Sequence, residues 1–299
     1  MPITIVIIHW NARAHLERCV PAALATGCPV IVVDNASRDG AAEMVRVRWP
    51  EVQLLAADRN LGFAGGVNTG VAQADTQWVL ILNPDILLTR EAVARMRAAG
   101  GQDPRIGAVG AQLIDADGTP QHGFSIRRFP TLATWLVDLL LIDQLWPANP
   151  VSARYHAVDL DPSRDQDVEQ PAAACLLLRR EALTAIGGFD AAFHPAWFED
   201  VDACRRLIDA GWRIRYVADA RVVHEGGGAM RALGLGSFAA IWYRNLLRYA
   251  RRHGTSATRA VLPPLMVTGM LLRAAVSLVR GRTGDAGAYL RVIPLVFRD

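Results

Sequence analysis

The first 110 residues alternate short β-branched runs with helix-like stretches, and this order limits the fold more than any other feature of the chain. Strands are predicted at residues 3–8, 30–33, 52–56, 78–82 and 106–111. Helices are predicted between them at residues 12–25, 41–49, 65–74 and 90–99. Continuous apolar strands separated by helices are typical of a parallel sheet that is covered on both faces. We therefore expect an α/β fold with a mostly parallel sheet flanked by helices.

The alternation is lost after residue 112. The pattern there predicts an apolar helix at 131–146, which is too short to span a bilayer, and a polar loop at 159–169. Further strands are predicted at 171–179, 214–217 and 221–224, with a helix at 200–210. After the glycine run at 226–228 we expect a helical region with breaks at Pro263-Pro264 and Gly281.

The composition excludes several classes of protein. All 32 basic residues are arginines, so the chain contains no lysine. Schiff-base chemistry needs a lysine amine and the phosphate-binding P-loop needs a lysine beside Ser or Thr, so both are excluded. The four cysteines (Cys19, Cys28, Cys175 and Cys204) lack metal-site spacing, and we expect reduced thiols in a cytoplasmic protein. The N-terminal apolar run is too short for a signal peptide and is interpreted as a buried strand.

Polar residues follow four successive predicted strands. In chain order these are His9 and Asn11, then Asp34 and Asn35, then the segment 58–68, then Asn83 and Asp85. Parallel sheets bind ligands beyond the carboxyl ends of their strands. Ordinary turn chemistry explains any one of these cases, but it explains four in succession less well. The sequence therefore predicts a polar cleft at this edge of the sheet.

Two of the strand ends allow two interpretations each. Asp34 is either a helix N-cap, with Ser37 and Asp39 as further capping residues, or a carboxylate that accepts a hydrogen bond from a pyrimidine base. In the glycine-rich segment 60–70, Gly62, Gly65 and Gly66 let the backbone approach a ligand, or else the segment allows a tight crossing of helix and strand. Their segment does not match the dinucleotide-binding G-x-G-x-x-G pattern after the first strand.

Acidic residues elsewhere are also open to two interpretations. Asp85 alone is a weak metal signal, although Mg²⁺ needs only one or two carboxylates when it also binds substrate phosphates. Glu199, Asp200 and Asp202 at a helix start either complement the helix dipole, at about 0.3–1 kcal/mol each, or include a catalytic base. Nearby aromatic residues favour the base, because an apolar setting raises the pKa of a carboxyl group. His224, as a single histidine, is more often structural.

Taken together, these segments resemble family 2 glycosyltransferases of the GT-A fold, especially their bacterial rhamnosyltransferase-like branch. The matching segments are 32–40, 60–70, 82–85, 186–190, 199–206 and 210–212. The resemblance covers residues 3 to about 228 and implies a nucleotide-sugar-binding half at residues 1–112 and an acceptor-binding and catalytic half of the same domain at 113–230. The composition of residues 231–299 predicts a basic amphipathic helical tail.

The resemblance also implies an inverting transfer of a sugar from a nucleoside-diphosphate donor, with Mg²⁺ or Mn²⁺. Asp200 would be the catalytic base with Glu199 beside it, and Asp85 and His224 would lie at the metal. The implied donor site, including the strand-end residues above, comprises His9, Asn11, Asp34, Asn35, Asp58, Arg59, Asn60, Gly62, Gly65, Asn83 and Asp85. Asn83 replaces the first carboxylate of an Asp-Xaa-Asp motif, which bears on metal affinity more than on metal use.

The tail differs in charge from the rest of the chain. Residues 231–299 contain 11 arginines and two acids, a charge of +9, whereas the first 230 residues carry 21 − 27 = −6. Basic amphipathic segments bind anionic membrane surfaces. We therefore expect residues 237–282 to contact the membrane from the cytoplasmic side. The alternatives are an oligomer interface, including a homodimer, and an ordinary pair of packed helices. Arg273 interrupts the longest apolar run, which argues against a helix that spans the membrane.

The expected donor is dTDP-rhamnose, and the expected acceptor is lipid-linked or a polysaccharide; no nucleic-acid partner is expected. Two alternatives are kept for the function. A sugar nucleotidyltransferase would rely on a G-x-G-T-R-type loop and a lysine, and this chain contains neither. A scaffold subunit with the same fold would have lost turnover, whereas Asp85, Glu199 and Asp200 are all present.

Overall fold

A computed structural model describes residues 2–226 and 233–297. The strands are β1 (Ile3–His9), β2 (Val30–Asp34), β3 (Gln53–Ala56), β4 (Trp78–Leu82), β5 (Ile86–Leu87), β6 (Ile106–Ile114), β7 (Ile126–Arg127), β8 (Gln166–Asp167), β9 (Gln170–Pro171), β10 (Cys175–Arg179) and β11 (Arg213–His224). The helices are α1 (Arg13–Leu24), α2 (Ala41–Arg48), α3 (Gly62–Gln73), α4 (Arg90–Gly100), α5 (Leu132–Leu139), α6 (Ile142–Leu145), α7 (Pro150–Tyr155), α8 (Arg180–Ala185), α9 (Glu199–Asp209), α10 (Leu235–His253), α11 (Ser256–Val279) and α12 (Thr283–Val292), followed by a 3-10 helix at Ile293–Phe297.

The central sheet is mixed, with helices packed on both faces. Among the described residues its strand order is β3-β2-β1-β4-β10-β6-β11-β5, and β8 pairs with β11. Strands β3, β2, β1 and β4 are parallel, as the alternation predicts. Strand β10 is antiparallel to both of its neighbours, β4 and β6, while β6 and β11 are parallel. The predicted mostly parallel sheet is thus a parallel half joined through one antiparallel strand to a second half.

The parallel half is held by apolar side chains on both of its faces. Every residue of β1, β2 and β4 is buried. Ile5 and Ile7 point into one hydrophobic cluster, whereas Val6 and Ile8 point into the cluster on the opposite face. Helix α3 crosses β1 so closely that a Cβ on Gly70 would lie 2.2 Å from Val6 Cγ1. The tight-crossing interpretation of the glycine-rich segment is therefore correct for this glycine.

The predicted helix at 131–146 is wrong as a single element. Leu141 adopts a left-handed conformation (φ 59°), which separates α5 from α6. Arg273 of α11 donates hydrogen bonds to the backbone oxygens of Leu139, at 2.7 Å, and Asp138, at 2.8 Å. A side chain from a distant helix thus satisfies carbonyl groups at the end of α5, and the helix need not continue.

Three other predicted elements differ from the structure. The predicted loop at 159–169 contains β8, and the predicted strand at 171–179 begins only at Cys175, because Gln170–Pro171 pairs with β7 in a separate two-stranded sheet. The two predicted strands at 214–217 and 221–224 are one strand, β11, with a register shift between Val217 and Arg221. Bulges of this kind keep a strand paired while they shift its register.

The tail forms three helices, and one predicted break is wrong. Gly281 separates α11 from α12 as expected, but Pro263 and Pro264 lie inside α11. Packing of α11 against α5, α10 and α12 offsets the hydrogen bonds that the prolines cannot donate. By length and mean hydropathy (1.6), α11 alone among the described helices could cross a membrane, despite Arg273, although 28% of its most apolar window is buried within the fold.

Two further expectations concern cysteines and boundaries. All four cysteines are free, as predicted. The boundary predicted after residue 112 falls inside β6, and the boundary predicted after residue 230 lies outside the described residues.

Candidate active site

A cleft of about 830 Å³ opens where the parallel strands end and α9 begins. Eight of the predicted site residues line it, namely Asn35, Asn60, Gly62, Asn83, Asp85, Glu199, Asp200 and His224. Residues that lie more than 100 positions apart in the chain are thus brought to one cavity. The predicted metal-side carboxylate and the predicted base share this cleft.

Asp85 and His224 meet on one wall of the cleft. Asp85 lies just beyond β4, and His224 is the last residue of β11, which pairs with β5 at Ile86. His224 Nε2 lies 3.6 Å from Asp85 Oδ2. Burial lowers the pKa of His224, although the charges of Asp85 and Asp115 oppose this effect.

Gln121 fixes the tautomer of His224. The Gln121 amide donates to Asp115 Oδ1 at 2.7 Å and to the backbone oxygen of His224 at 2.9 Å. Its Oε1 atom therefore faces His224 Nδ1, at 2.7 Å, so we assign the ring hydrogen to Nδ1. The Nε2 lone pair is then directed toward the Asp85 carboxylate. Two electron-rich groups that face each other in this way are suited to a shared cation.

The residues of this wall fit a divalent cation that is also bound by phosphate. Asp85 Oδ1 is buried and has no hydrogen-bond partner in the described structure. A buried carboxylate oxygen is costly unless it is paired, and a cation would satisfy it. No group of three or more His, Cys, Asp or Glu side chains in the described ranges could hold a metal. The remaining ligands would therefore have to come from the substrate or from water.

The opposite wall begins with an unusual backbone. Trp197 and Phe198 both adopt positive φ, 73° and 72°, immediately before α9. Residues other than glycine in this region cost about 1–3 kcal/mol each and cluster at functional sites. This double left-handed turn directs the first residues of α9, Glu199 and Asp200, toward the cleft.

Glu199 and Asp200 differ in their surroundings. Glu199 is fully buried, and its Oε2 atom has no hydrogen-bond partner in the part of the chain that the structure describes. Burial raises the pKa of Glu199 well above its ordinary value, and the neighbouring Asp200 raises it further. Asp200 is half-buried; its Oδ1 accepts from the backbone N–H of Val201 at 2.8 Å, and its Oδ2 lies 3.4 Å from Gln170 Nε2.

Helix α10 holds the loop before α9 in place. Asn245, which is fully buried, donates through Nδ2 to the backbone oxygens of Ala196 at 2.8 Å and Trp197 at 3.3 Å. Arg244 donates to the backbone oxygen of His194. The Trp197 ring also packs edge-on against Phe238 of α10, with ring centres 4.8 Å apart. The C-terminal tail is therefore part of the active-site scaffold.

Asp202 does not line the cleft; its buried carboxylate links helix α9 to helix α10. Its carboxylate accepts from Arg206 Nε at 2.7 Å and His253 Nε2 at 2.8 Å, and Arg252 lies 3.3 Å away. Burial on its own would raise the pKa of Asp202, but the hydrogen bonds from His253 and Arg206 outweigh burial and hold this pKa below its ordinary value. Asp202 thereby ties α9 to α10.

Six predicted donor-site residues do not line the cleft. They are His9, Asn11, Asp34, Asp58, Arg59 and Gly65. Asp34 is buried 3.9 Å from His9 Nε2, and burial lowers the pKa of His9 despite the nearby carboxylates of Asp39 and Asp34. Asp58 and Arg59 are exposed beyond β3, while a Cβ on Gly65 would meet only the Leu61 side chain. Their roles in donor binding stay predictions.

The loop after β2 is organised by Asp39 and Asn11. Asp39 accepts from the backbone N–H of Ala41, at the start of α2, and from that of Arg13, at the start of α1. Asn11 Oδ1 accepts from the backbone N–H of Arg38 at 2.8 Å. Asp34 accepts only a long bond, 3.4 Å, from the backbone N–H of Ser37. The N-cap residue of α2 is Gly40, and Asp39 rather than Asp34 accepts a hydrogen bond from the first backbone N–H of that helix.

Several residues that line the cleft were not predicted as site residues from the sequence. These are Arg127, Gln170, Trp197, Phe238 and Trp242, in addition to Gln121 behind His224. They lie in segments without strand–helix alternation or in the tail. Trp197 alone had a sequence signal, because it is one of the aromatic residues near the acidic cluster at 199–202.

The chain is similar to known glycosyltransferases. The family described as Glycosyl transferase family 2 matches residues 4–185. The N-acetylglucosaminyl-diphospho-decaprenol L-rhamnosyltransferase of Mycobacterium tuberculosis is 34% identical over 237 residues, which cover 75% of this chain and 76% of the relative. Rhamnosyltransferase WbbL of Escherichia coli is 26% identical over 170 residues, covering 54% of this chain and 60% of the relative.

Solved structures support the same architecture. The mannosyltransferase PcManGT of Pyrobaculum calidifontis, in complex with GDP-Man and Mn²⁺, aligns with a TM-score of 0.57 at 17% identity, covering 99% of this chain and 87% of that one. TarS 1-349 of S. aureus in complex with UDP-GlcNAc aligns with a TM-score of 0.52 at 14% identity, covering 98% of this chain and 91% of that one. At these identities the likeness concerns the fold alone.

Proposed function

Because the chain belongs to the family 2 glycosyltransferases, we propose that it is an inverting hexosyltransferase that uses a nucleoside-diphosphate sugar. The observation that carries this proposal is the presence of Asp85, His224 and Asp200 in one cleft. An inverting transfer needs a leaving-group site and a base on opposite sides of the anomeric carbon. It needs no carboxylate nucleophile.

The wall formed by Asp85 and His224 would hold Mg²⁺ or Mn²⁺ on the donor diphosphate. A divalent cation there acts as a Lewis acid that stabilises charge on the leaving group. The unpartnered Asp85 Oδ1 and the Nε2 lone pair of His224 would be the protein ligands. Asn83, which also lines the cleft, is a neutral neighbour, so the protein supplies one carboxylate and the substrate supplies most of the charge.

Asp200 would accept the proton of the acceptor hydroxyl as that oxygen attacks the anomeric carbon. A general base must come within about 2.6–3.2 Å of the hydroxyl oxygen, and the half-buried Asp200 is accessible from the cleft. Glu199, whose pKa is raised by burial, suits a different role. In its protonated form it would offer an O–H donor to a bound substrate, and it would add no second negative charge beside Asp200.

The relatives suggest the substrates. Two of them are named as rhamnosyltransferases, and one name specifies a diphospho-decaprenol acceptor. We propose that this chain transfers rhamnose, with dTDP-rhamnose as the donor, to a lipid-linked acceptor in cell-surface glycan synthesis.

The proposed membrane contact is made by the tail from the cytoplasmic side. Apolar side chains are exposed on α11 and α12, including Leu271, Leu278, Val279 and Leu290. The +9 charge of residues 231–299 adds attraction to anionic lipids. A surface of this kind would place the cleft beside a membrane-embedded acceptor.

The test uses the purified chain, dTDP-rhamnose, a GlcNAc-diphosphate lipid and Mn²⁺. We expect a disaccharide lipid whose new linkage has the anomeric configuration opposite to that of the donor, which proton NMR measures. We expect Asp200→Asn to reduce turnover about 10²- to 10⁴-fold, the usual contribution of a general base. Asp209→Asn, on an exposed turn of the same helix, is the matched control. Equal turnover by the wild type and Asp200→Asn would contradict the proposed role.

A further inference from the structure

Arg127 lies between the two sides of the cleft. It pairs in antiparallel register with Gln170, whose Nε2 atom is 3.4 Å from Asp200 Oδ2. On its other side the guanidinium carbon lies 5.2 Å from the centre of the Phe124 ring. That ring is stacked on His224 at 5.1 Å and 9°. Contacts thus run from the metal-side wall through Arg127 to the base.

Arg127 forms no ion pair among the residues that the structure describes. Within residues 2–226 and 233–297, no carboxylate forms an ion pair with its guanidinium, and its Nε atom is buried without a hydrogen-bond partner. The adjacent Arg128 is different, because both of its terminal nitrogens bond to Asp159, at 2.8 and 2.7 Å. Buried donors are normally satisfied, so the free Nε–H of Arg127 points to an anionic ligand.

We propose that Arg127 binds the β-phosphate of the donor and stabilises the negative charge that develops on it. This inference rests on the proposed function. In the transfer, the bond between C1 and the phosphate oxygen breaks, and its electron pair goes to the β-phosphate. The acceptor oxygen forms the new bond to C1, and its proton goes to Asp200.

The location favours the leaving group over other anions. The scissile bond must lie between the group that holds the diphosphate and the group that takes the acceptor proton. Arg127 is adjacent to both, through Phe124 and Gln170. A guanidinium forms paired hydrogen bonds to phosphate oxygens, and its contribution grows as charge accumulates in a water-poor site. Arg127 is therefore a catalytic residue of the same reaction.

The first experiment compares nucleotides that differ by the β-phosphate. Binding of dTDP and dTMP with Mn²⁺ is measured by calorimetry for the wild type, Arg127→Gln and the control Arg128→Gln. We expect Arg127→Gln to weaken dTDP binding about 10- to 100-fold, the usual loss for a charge-assisted hydrogen bond. We expect dTMP binding to change less than about threefold, since dTMP lacks the phosphate that Arg127 contacts. Arg128→Gln should leave both affinities unchanged.

The second experiment separates chemistry from folding. Arg127→Ala should lose more in kcat than in donor affinity, and added guanidinium ion should restore part of kcat, which a merely structural defect would not allow. Thermal unfolding confirms that each variant is folded, and Arg127→Lys replaces any variant that is not. Equal dTDP affinity and kcat in Arg127→Gln and the wild type would overturn the inference alone. Absence of binding by the wild type to dTDP, UDP and GDP would overturn the proposed function as well.

Discussion

On the proposed donor side of the cleft, Asn83 and Asp85 follow β4, which is hydrogen-bonded along both edges and buried throughout. On the side of the proposed base, Asp200 follows a loop in which Trp197 and Phe198 both have positive φ. The first arrangement is fixed by regular sheet pairing. The second is strained by itself and depends on contacts with α10. The two halves of the site should therefore respond differently to substitutions in the tail.

The largest effect is expected where α9 is tied to α10. Asp202→Asn removes one partner from a buried network that includes Arg206 and His253, which typically costs about 3–5 kcal/mol. Because the native pKa of Asp202 is lowered, its stabilisation is present above about pH 4 and is lost as the pH falls through the native pKa. Unfolding in guanidinium chloride measures the free energy of unfolding of both proteins, and the difference between wild type and variant should become smaller below about pH 4. The control Asp209→Asn should lower the free energy of unfolding by less than about 1 kcal/mol. If Asp202→Asn and Asp209→Asn lowered it equally, the proposed role of Asp202 in tying α9 to α10 would be contradicted.

A smaller effect is expected at the loop itself. Asn245→Ala removes the donor to the backbone oxygens of Ala196 and Trp197, which leaves them unsatisfied at about 1–3 kcal/mol. We expect kcat to fall about tenfold, because Asp200 is less well placed, while donor affinity with Mn²⁺ is unchanged. Ser237→Ala, at an exposed position of α10, is the control. A loss of donor affinity with unchanged kcat would reverse the proposed dependence.

The two sides of the cleft also differ in how much of them the sequence could predict. The strand ends after β1, β2 and β4 were recognisable because each is a local pattern of an apolar run followed by polar residues. The acids at 199 and 200 were found in the same way. The contact from Asn245 to Ala196 joins residues 49 positions apart and has no local pattern. Arg127 and Gln121 were missed for the same reason. The end of α5 was also missed, where the backbone oxygen of Leu139 accepts a hydrogen bond from Arg273, 134 positions later.

A smaller change in stability is expected for a substitution of Glu199, which lies beside Asp200. Its native pKa is raised, so the native state keeps its proton while the unfolded state loses it, and Glu199 destabilises the fold as the pH rises above the unfolded-state value. The free energy of unfolding of Glu199→Gln should therefore exceed that of the wild type by about 1 kcal/mol at pH 5.5. Below about pH 4 the two values should be equal. Thermal unfolding across this pH range measures the difference in stability between the two proteins. A difference that became larger toward acidic pH would contradict the predicted direction of the pH dependence.

The smallest effect concerns the outer surface of the tail. Leu278→Glu with Val279→Glu places charge on two exposed apolar positions of α11. We expect roughly fivefold weaker binding to vesicles that contain phosphatidylglycerol, about 1 kcal/mol. Val47→Glu, at an exposed position in the N-terminal half, should have little effect. Equal losses from both substitutions in a sedimentation assay would remove the tail from membrane binding.

The separation of donor binding from proton transfer is measured most directly by calorimetry of dTDP-rhamnose with Mn²⁺ on two variants. Asp85→Ala, on the sheet side, should weaken donor binding at least about tenfold, which is the loss of one charge-assisted interaction. Asp200→Asn, on the loop side, should bind the donor as the wild type does and yet fail to transfer the sugar. Wild-type affinity in Asp85→Ala, or lost affinity in Asp200→Asn, would contradict the account.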